Sequence, residues 1–172
     1  DTETILRLYQ ESGPDCLARL RGMFAFAIWD AAERTLFLAR DRMGKKPLYY
    51  WCGPRAFLFA SEAKAMLCDP GVTRRPDPIA VDHVVTYGYV PPEGSAFEGF
   101  KKLPPAHFLR LRDGEVSTRR YWQLQYEPKR QCKAAAALEE LAPLLEQAVA
   151  RRMIADVPIG AVVGGGVGSS TV

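Results

Sequence analysis

With 172 residues, 48% of them apolar, and a formal charge of only +3, the chain can bury a real core and is too weakly basic to be organised around nucleic acid. Its cations come as scattered pairs, Arg19 and Arg21, Lys45 and Lys46, Arg74 and Arg75, Lys101 and Lys102, Arg119 and Arg120, Arg151 and Arg152, which read as solvated surface. No apolar run is long enough to span a bilayer and no charged-then-apolar leader is present, so no membrane partner and no secretion are expected. Cys16, Cys52, Cys68 and Cys132 are widely spread, without a CxxC pair or histidines in metal-ligand spacing, which fits a reduced cytoplasmic chain.

In chain order, residues 2–9 place Ile5, Leu6, Leu8 and Tyr9 at helical spacing, with Glu3 in the first turn and Gly13-Pro14 as the stop. A second short helix holds Cys16, Leu17 and Leu20. Residues 23–29 alternate large side chains with alanines, the pattern of a strand between two packed layers. Residues 30–34 turn it into an apolar partner at 35–40, giving an antiparallel hairpin. A polar loop follows at 41–47, then strands at 48–51 and 56–60, and a helix at 61–67 for which Ser61 is the expected cap. Hairpins with helices outside them predict an α+β sandwich.

From residue 68 to about 127 the text turns proline-rich and aromatic. Asp113-Gly114 between two alternating runs predicts a hairpin, while Tyr87, Tyr89, Phe97 and Phe100 read as core and interdomain packing. Beyond residue 130, Leu138, Leu141, Leu144, Leu145, Ala148 and Val149 mark one helical face, with a kink or a fresh helix start expected at Pro143. Arg151 and Arg152 are expected in its last turn. Residues 159–163 predict a short buried strand that stops at Gly164, Gly165 and Gly166, then Val167, Gly168 and the pair Ser169 and Ser170. Strand, bare loop and helix start make either a phosphate cradle or a glycine-rich turn.

The loop resembles the pyrophosphate loop of N-type ATP pyrophosphatases, Ser-Gly-Gly-X-Asp-Ser, with Gly164 in place of the first Ser and Gly168 in place of the Asp. RGMFAFAIWD at 21–30, ARDRMGKKPLYY at 39–50 and FASEAK at 59–64, in that order and spacing, resemble the second half of the glutaminase domain of glutamine-hydrolysing asparagine synthetases. The resemblance covers essentially the whole chain. It implies an N-terminal nucleophile glutaminase-like α+β sandwich, partial, over residues 1–127, with an interdomain segment from about 68. The start of a doubly wound α/β synthetase domain would occupy residues 128–172.

The activity implied is transfer of the amide nitrogen of glutamine to aspartate at the expense of ATP, with Mg2+ accompanying the nucleotide. Glutamine and aspartate would be the small-molecule partners and a homodimer the assembly. The resemblance makes Asp1 the group that holds the α-amino nitrogen of glutamine, though it reads equally well as the cap of the first helix. It makes Val162 a residue packing on the nucleotide, and Gly164, Gly165, Gly166, Gly168, Ser169 and Ser170 the ATP-binding loop. No catalytic residue is expected here: the nucleophilic cysteine would lie upstream, and no metal ligand is identified. The chain is thus expected to be an internal portion of a longer enzyme, inactive alone. Two alternatives stay open: a β-lactam-forming or peptide-cyclising relative with a silent glutaminase half, and a non-catalytic remnant or binding module. The cluster of Arg40, Asp41, Arg42 and Lys46 reads as an ion-paired turn, and His83 and His107 as packed or surface histidines.

Overall fold

A computed structural model describes residues 1–92, 94–162 and 164–168. The chain divides into two compact units, Asp1–Leu124 and Gln125–Val172. The first begins with helix α1 (Thr2–Ser12), a 3-10 turn (Gly13–Asp15) and helix α2 (Cys16–Arg19). Strands β1 (Ala25–Asp30), β2 (Thr35–Arg40), β3 (Tyr49–Cys52) and β4 (Phe57–Ala60) follow, then helices α3 (Ala63–Met66) and α4 (Pro78–Tyr87). Strands β5 (Phe100–Lys102), β6 (His107–Arg112) and β7 (Glu115–Arg120) complete the unit.

Two antiparallel sheets form, in strand orders β1-β2-β6-β7 and β4-β3-β5. The period-two alternation of the strands decides what each face touches. From β2 and β6, Phe37, Ala39 and Phe108 project to one side with Phe26 and Ile28 of β1, and there meet Leu8, Tyr9, Cys16, Leu17 and Leu20 of the first two helices. Leu36, Leu38, Leu109 and Leu111 project to the other side and meet Tyr50 and Phe57 of the second sheet, with Leu48 just before β3. That sheet's far face sends Tyr49, Trp51, Leu58 and Phe100 onto Ala63, Met66 and Val72. The result is a helix, sheet, sheet, helix sandwich. Phe37 sits at the centre, fully buried, with the rings of Tyr9 and Phe108 at 5.0 and 5.3 Å. Its burial alone is worth about 2–3 kcal/mol.

Local chemistry closes the elements. Asp113 and Gly114 both take positive φ, 51° and 82°, as the tight β6–β7 hairpin requires. Helix α4 starts on Asp77, whose carboxylate accepts the Ile79 N–H at 2.9 Å, carries Pro78 in its first turn, and stops on Gly88 at φ 78°. Neither α4 nor β5 was expected from the sequence. Ser61 is not the cap of α3; the helix begins two residues later, on an extended Glu62.

In the second unit, helix α5 (Ala134–Ala150) runs as one element through Pro143 instead of starting there. Arg151 lies at its C-cap, and Arg152 donates to the Ala148 carbonyl at 2.7 Å. Arg130 grips Glu140 through both guanidinium nitrogens. The strand expected at 159–163 does not form: residues 159–162 are exposed coil, and Val163 lies outside the described residues. A parallel strand is stable only between neighbours that take up its N–H and C=O groups, and no strand of the second unit is available among the described residues. Among the described residues, the second unit thus has no strand of a doubly wound sheet.

Candidate functional site

Asp1 occupies the N-cap position of α1, but its side chain makes no capping hydrogen bond. Its backbone carbonyl accepts the Ile5 N–H at 3.1 Å and fixes the helix start without the carboxylate. Asp1 is an exposed residue.

The glycine stretch is an open turn. Gly165 alone requires glycine conformationally, at φ 73°, and a Cβ added at Gly164, Gly165 or Gly168 would meet no atom within 4 Å. Val167 and Gly168 have helical backbone, so the loop does lead into a helical turn. Val162 is 95% exposed in coil, not within the buried strand expected over residues 159–163. Ser169 and Ser170 lie outside the described residues. Residues 164–168 carry neither a hydroxyl nor a carboxylate, and no group of three metal-ligating side chains exists among the described residues. The groups present do not fit a magnesium ion.

The best-built polar constellation is the turn after β2. Arg40 is 9% exposed and donates Nε to the Lys46 carbonyl at 2.7 Å, Nη1 to Leu103 at 2.6 Å and Nη2 to Gly44 at 2.7 Å. Asp41 is 1% exposed. Its Oδ1 accepts the N–H groups of Met43 and Lys45 at 3.1 and 2.9 Å, and its Oδ2 those of Phe24 and Lys46 at 3.3 and 2.9 Å. The expected ion-paired turn is thus something else: among the described residues neither charge forms an ion pair, and each is satisfied by backbone. Burial pulls the Arg40 pKa down, and neighbouring Asp41 partly offsets this.

Two further bonds seal the turn. The Ala106 N–H donates to the Asp41 carbonyl at 2.9 Å, and the Tyr121 hydroxyl to the Arg40 carbonyl at 2.8 Å. Burial, with the negative charge of Asp41 next, pushes the Tyr121 phenol far above its ordinary range. Sequence gave no sign of Tyr121, whose partner lies 81 positions away. The turn is a clamp between the ends of both sheets: it supports a site and offers no free nucleophile or base.

The histidines are not bases in waiting. His83 packs on the Tyr87 ring, and His107 Nδ1 lies 2.7 Å from the Pro105 carbonyl. Cys16 is fully buried, and burial raises its thiol pKa, so it is a core residue. Cys52, Cys68 and Cys132 are exposed and unlinked. Among the described residues no helix is long and apolar enough to cross a membrane.

Comparison with known proteins assigns both parts of the chain to families. The glutamine amidotransferase domain family matches residues 1–122 and the asparagine synthase family residues 140–172. Asparagine synthetase [glutamine-hydrolyzing] 3 of Bacillus subtilis is 36% identical over all of this chain and 28% of its own length. A provisionally named asparagine synthetase [glutamine-hydrolyzing] 2 of Methanocaldococcus jannaschii is 38% identical over all of this chain and 34% of its own length. Amidase chry2 of Gibberella zeae is 33% identical over all of this chain and 26% of its own length. The chain therefore spans about a third or less of the curated relatives it matches. Among solved structures, the glutamine phosphoribosylpyrophosphate amidotransferase of B. subtilis overlays 72% of this chain and 23% of its own at 20% identity and TM-score 0.47, too loose a likeness to bear on the site. On the match over residues 1–122, the chain belongs to the glutamine amidotransferase family, in the form found in glutamine-hydrolysing asparagine synthetases.

Proposed function

We propose that this chain serves a glutamine-hydrolysing asparagine synthetase in the cytoplasm, one that converts aspartate, glutamine and ATP to asparagine, glutamate, AMP and pyrophosphate. The observation that carries the reading is the succession on one chain of a glutamine amidotransferase match and an asparagine synthase match. The sandwich would be the glutaminase, which hydrolyses glutamine to glutamate and ammonia with a cysteine supplied by sequence outside this chain. Asp1 would receive the α-ammonium of glutamine in a charge-assisted contact, a role supported by its uncapped, exposed carboxylate. The Arg40 and Asp41 clamp would hold the ends of the sheets together. Residues 128–172 would open the ATP-dependent half, with Val162, Gly164, Gly165, Gly166, Gly168, Ser169 and Ser170 at the nucleotide; the assembly would be a homodimer.

Gly164 and Gly168 favour a second reading, in which the loop no longer supports adenylation and the protein acts as a binding module. In the complete protein, aspartate-dependent ATP to pyrophosphate exchange decides between them, measured before and after Gly164→Ser with Gly168→Asp. Exchange in the unaltered protein supports the synthetase. Exchange that arises only after restoration supports the binding module.

A further inference from the structure

On the helix-covered face of the four-stranded sheet, the β6–β7 hairpin presents positive charge, and Asp30 and Glu33 are the acidic groups that share the surroundings of Arg110 at Tyr9. The register sets Phe108 opposite Arg119 and Arg110 opposite Ser117, so Arg110 and Arg119 share the face on which Phe108 packs under α1 and α2. Arg120 and Tyr121 follow, and with Asp15 across the gap these residues line a cavity of about 370 Å3. Among the described residues, Arg110, Arg119 and Arg120 make no ion pair, whereas Arg19, Arg75 and Arg112 each hold a carboxylate. Asp15 is the one carboxylate in the lining and lies beyond pairing distance of all three. The register pairs Arg120 with His107, so its side chain leaves from the opposite face, and the guanidiniums of Arg110 and Arg119 against the one carboxylate leave the cleft at +1.

Arg110 is half-buried in the sheet, while Arg119 and Arg120 lie on a strand exposed along its whole length, so the cleft has one fixed wall and an open mouth. Planar guanidinium forks bind phosphate oxygens in pairs and tolerate being crowded together around a multiply charged anion. The volume suits a small molecule. We propose that this cleft binds a polyphosphate group, either inorganic pyrophosphate or the phosphate tail of a nucleotide, at a site in the first unit separate from residues 164–168.

The test is titration of the full chain with sodium pyrophosphate at low ionic strength, by calorimetry and by the Arg Nε NMR signals, with ATP as a second arm. The expected result is saturable one-site binding that weakens at least tenfold in Arg119→Gln with Arg120→Gln, and in Arg110→Gln, while Arg55→Gln in the β3–β4 turn stays within twofold. The double variant lies on an exposed edge strand, so it keeps the test open even if Arg110→Gln fails to fold. ATP binding tighter than pyrophosphate identifies the nucleotide as the source of the phosphate, and equal affinities identify the inorganic anion; both support the site. Absence of saturable binding, an equal loss in Arg55→Gln, or binding unchanged by the double variant overturns it, the last outcome placing the anion elsewhere, such as at residues 164–168.

Discussion

Replacing Asp41 with Asn probes the clamp with almost no change in shape. Each carboxylate oxygen accepts two backbone N–H groups, so whichever oxygen becomes the amide nitrogen, two charge-assisted bonds are lost and a donor is turned onto two donors. Charge-assisted bonds contribute about 1.5–3 kcal/mol each, and a buried donor left without a partner costs about 1–3 kcal/mol. The losses overlap, which places the cost at about 3–5 kcal/mol, typical of breaking a buried charged network. With a urea slope of about 2 kcal/mol/M, the midpoint falls by about 2 M. Trp29, Trp51 and Trp122 are the three tryptophans of the chain and all lie in the first unit, so fluorescence follows that unit alone. Asp69→Asn is the control: Asp69 is only half-buried and accepts one N–H in an exposed bond, from Gly71 at 2.7 Å, which an amide oxygen can still do, so it should cost under about 1 kcal/mol. Equal and small shifts in the two variants would refute the clamp.

Gly44→Ala should destabilise more than Gly114→Ala in the same assay, because both have positive φ but only at Gly44 does the new Cβ collide, with Pro105 at 2.8 Å. The expected costs are about 2–4 kcal/mol and about 1–2 kcal/mol. Tyr121→Phe should cost about 1 kcal/mol at neutral pH. The raised Tyr121 pKa means that the folded state holds its proton more tightly than the unfolded one. The stabilisation is therefore complete below about pH 10 and lost as pH rises through the folded-state value, so the alkaline decline measured by urea titration should be shallower in the phenylalanine variant. In thiol labelling without denaturant, Cys52, Cys68 and Cys132 should react within minutes while Cys16 waits for unfolding; rapid labelling of four thiols would contradict the packing of α2. In the complete enzyme, Asp1→Asn should raise the KM for glutamine at least tenfold while leaving ammonia-dependent synthesis unchanged, since only glutamine presents an α-ammonium to it.

The sandwich was legible where a local rule sets the structure. Alternation in residues 23–29 marked one face as core, the apolar run at 35–40 its hairpin partner, and Asp113-Gly114 a turn that takes two positive φ angles. Helix α4 carried its own start and stop signals in Asp77, Pro78 and Gly88, but the prolines on either side made the segment read as an irregular bridge. Strand β5, three residues long, is too short for any pattern to mark, and its existence depends on pairing with β3. The Arg40 and Asp41 pair was visible as charge, yet its partners are carbonyls and amides whose positions follow from the assembled sheets. At residues 159–163 the apolar run promised a strand, and the pattern could not report whether a partner would be there to pair with it.

The measurement that bears most directly on the function is asparagine formation by the complete protein supplied with ATP and aspartate, with glutamine and with ammonia as separate nitrogen sources. The account predicts asparagine and AMP in equal amounts from either source, with only the glutamine route weakened, through a higher KM for glutamine, in Asp1→Asn. Hydrolysis of glutamine with no asparagine from either nitrogen source would contradict it.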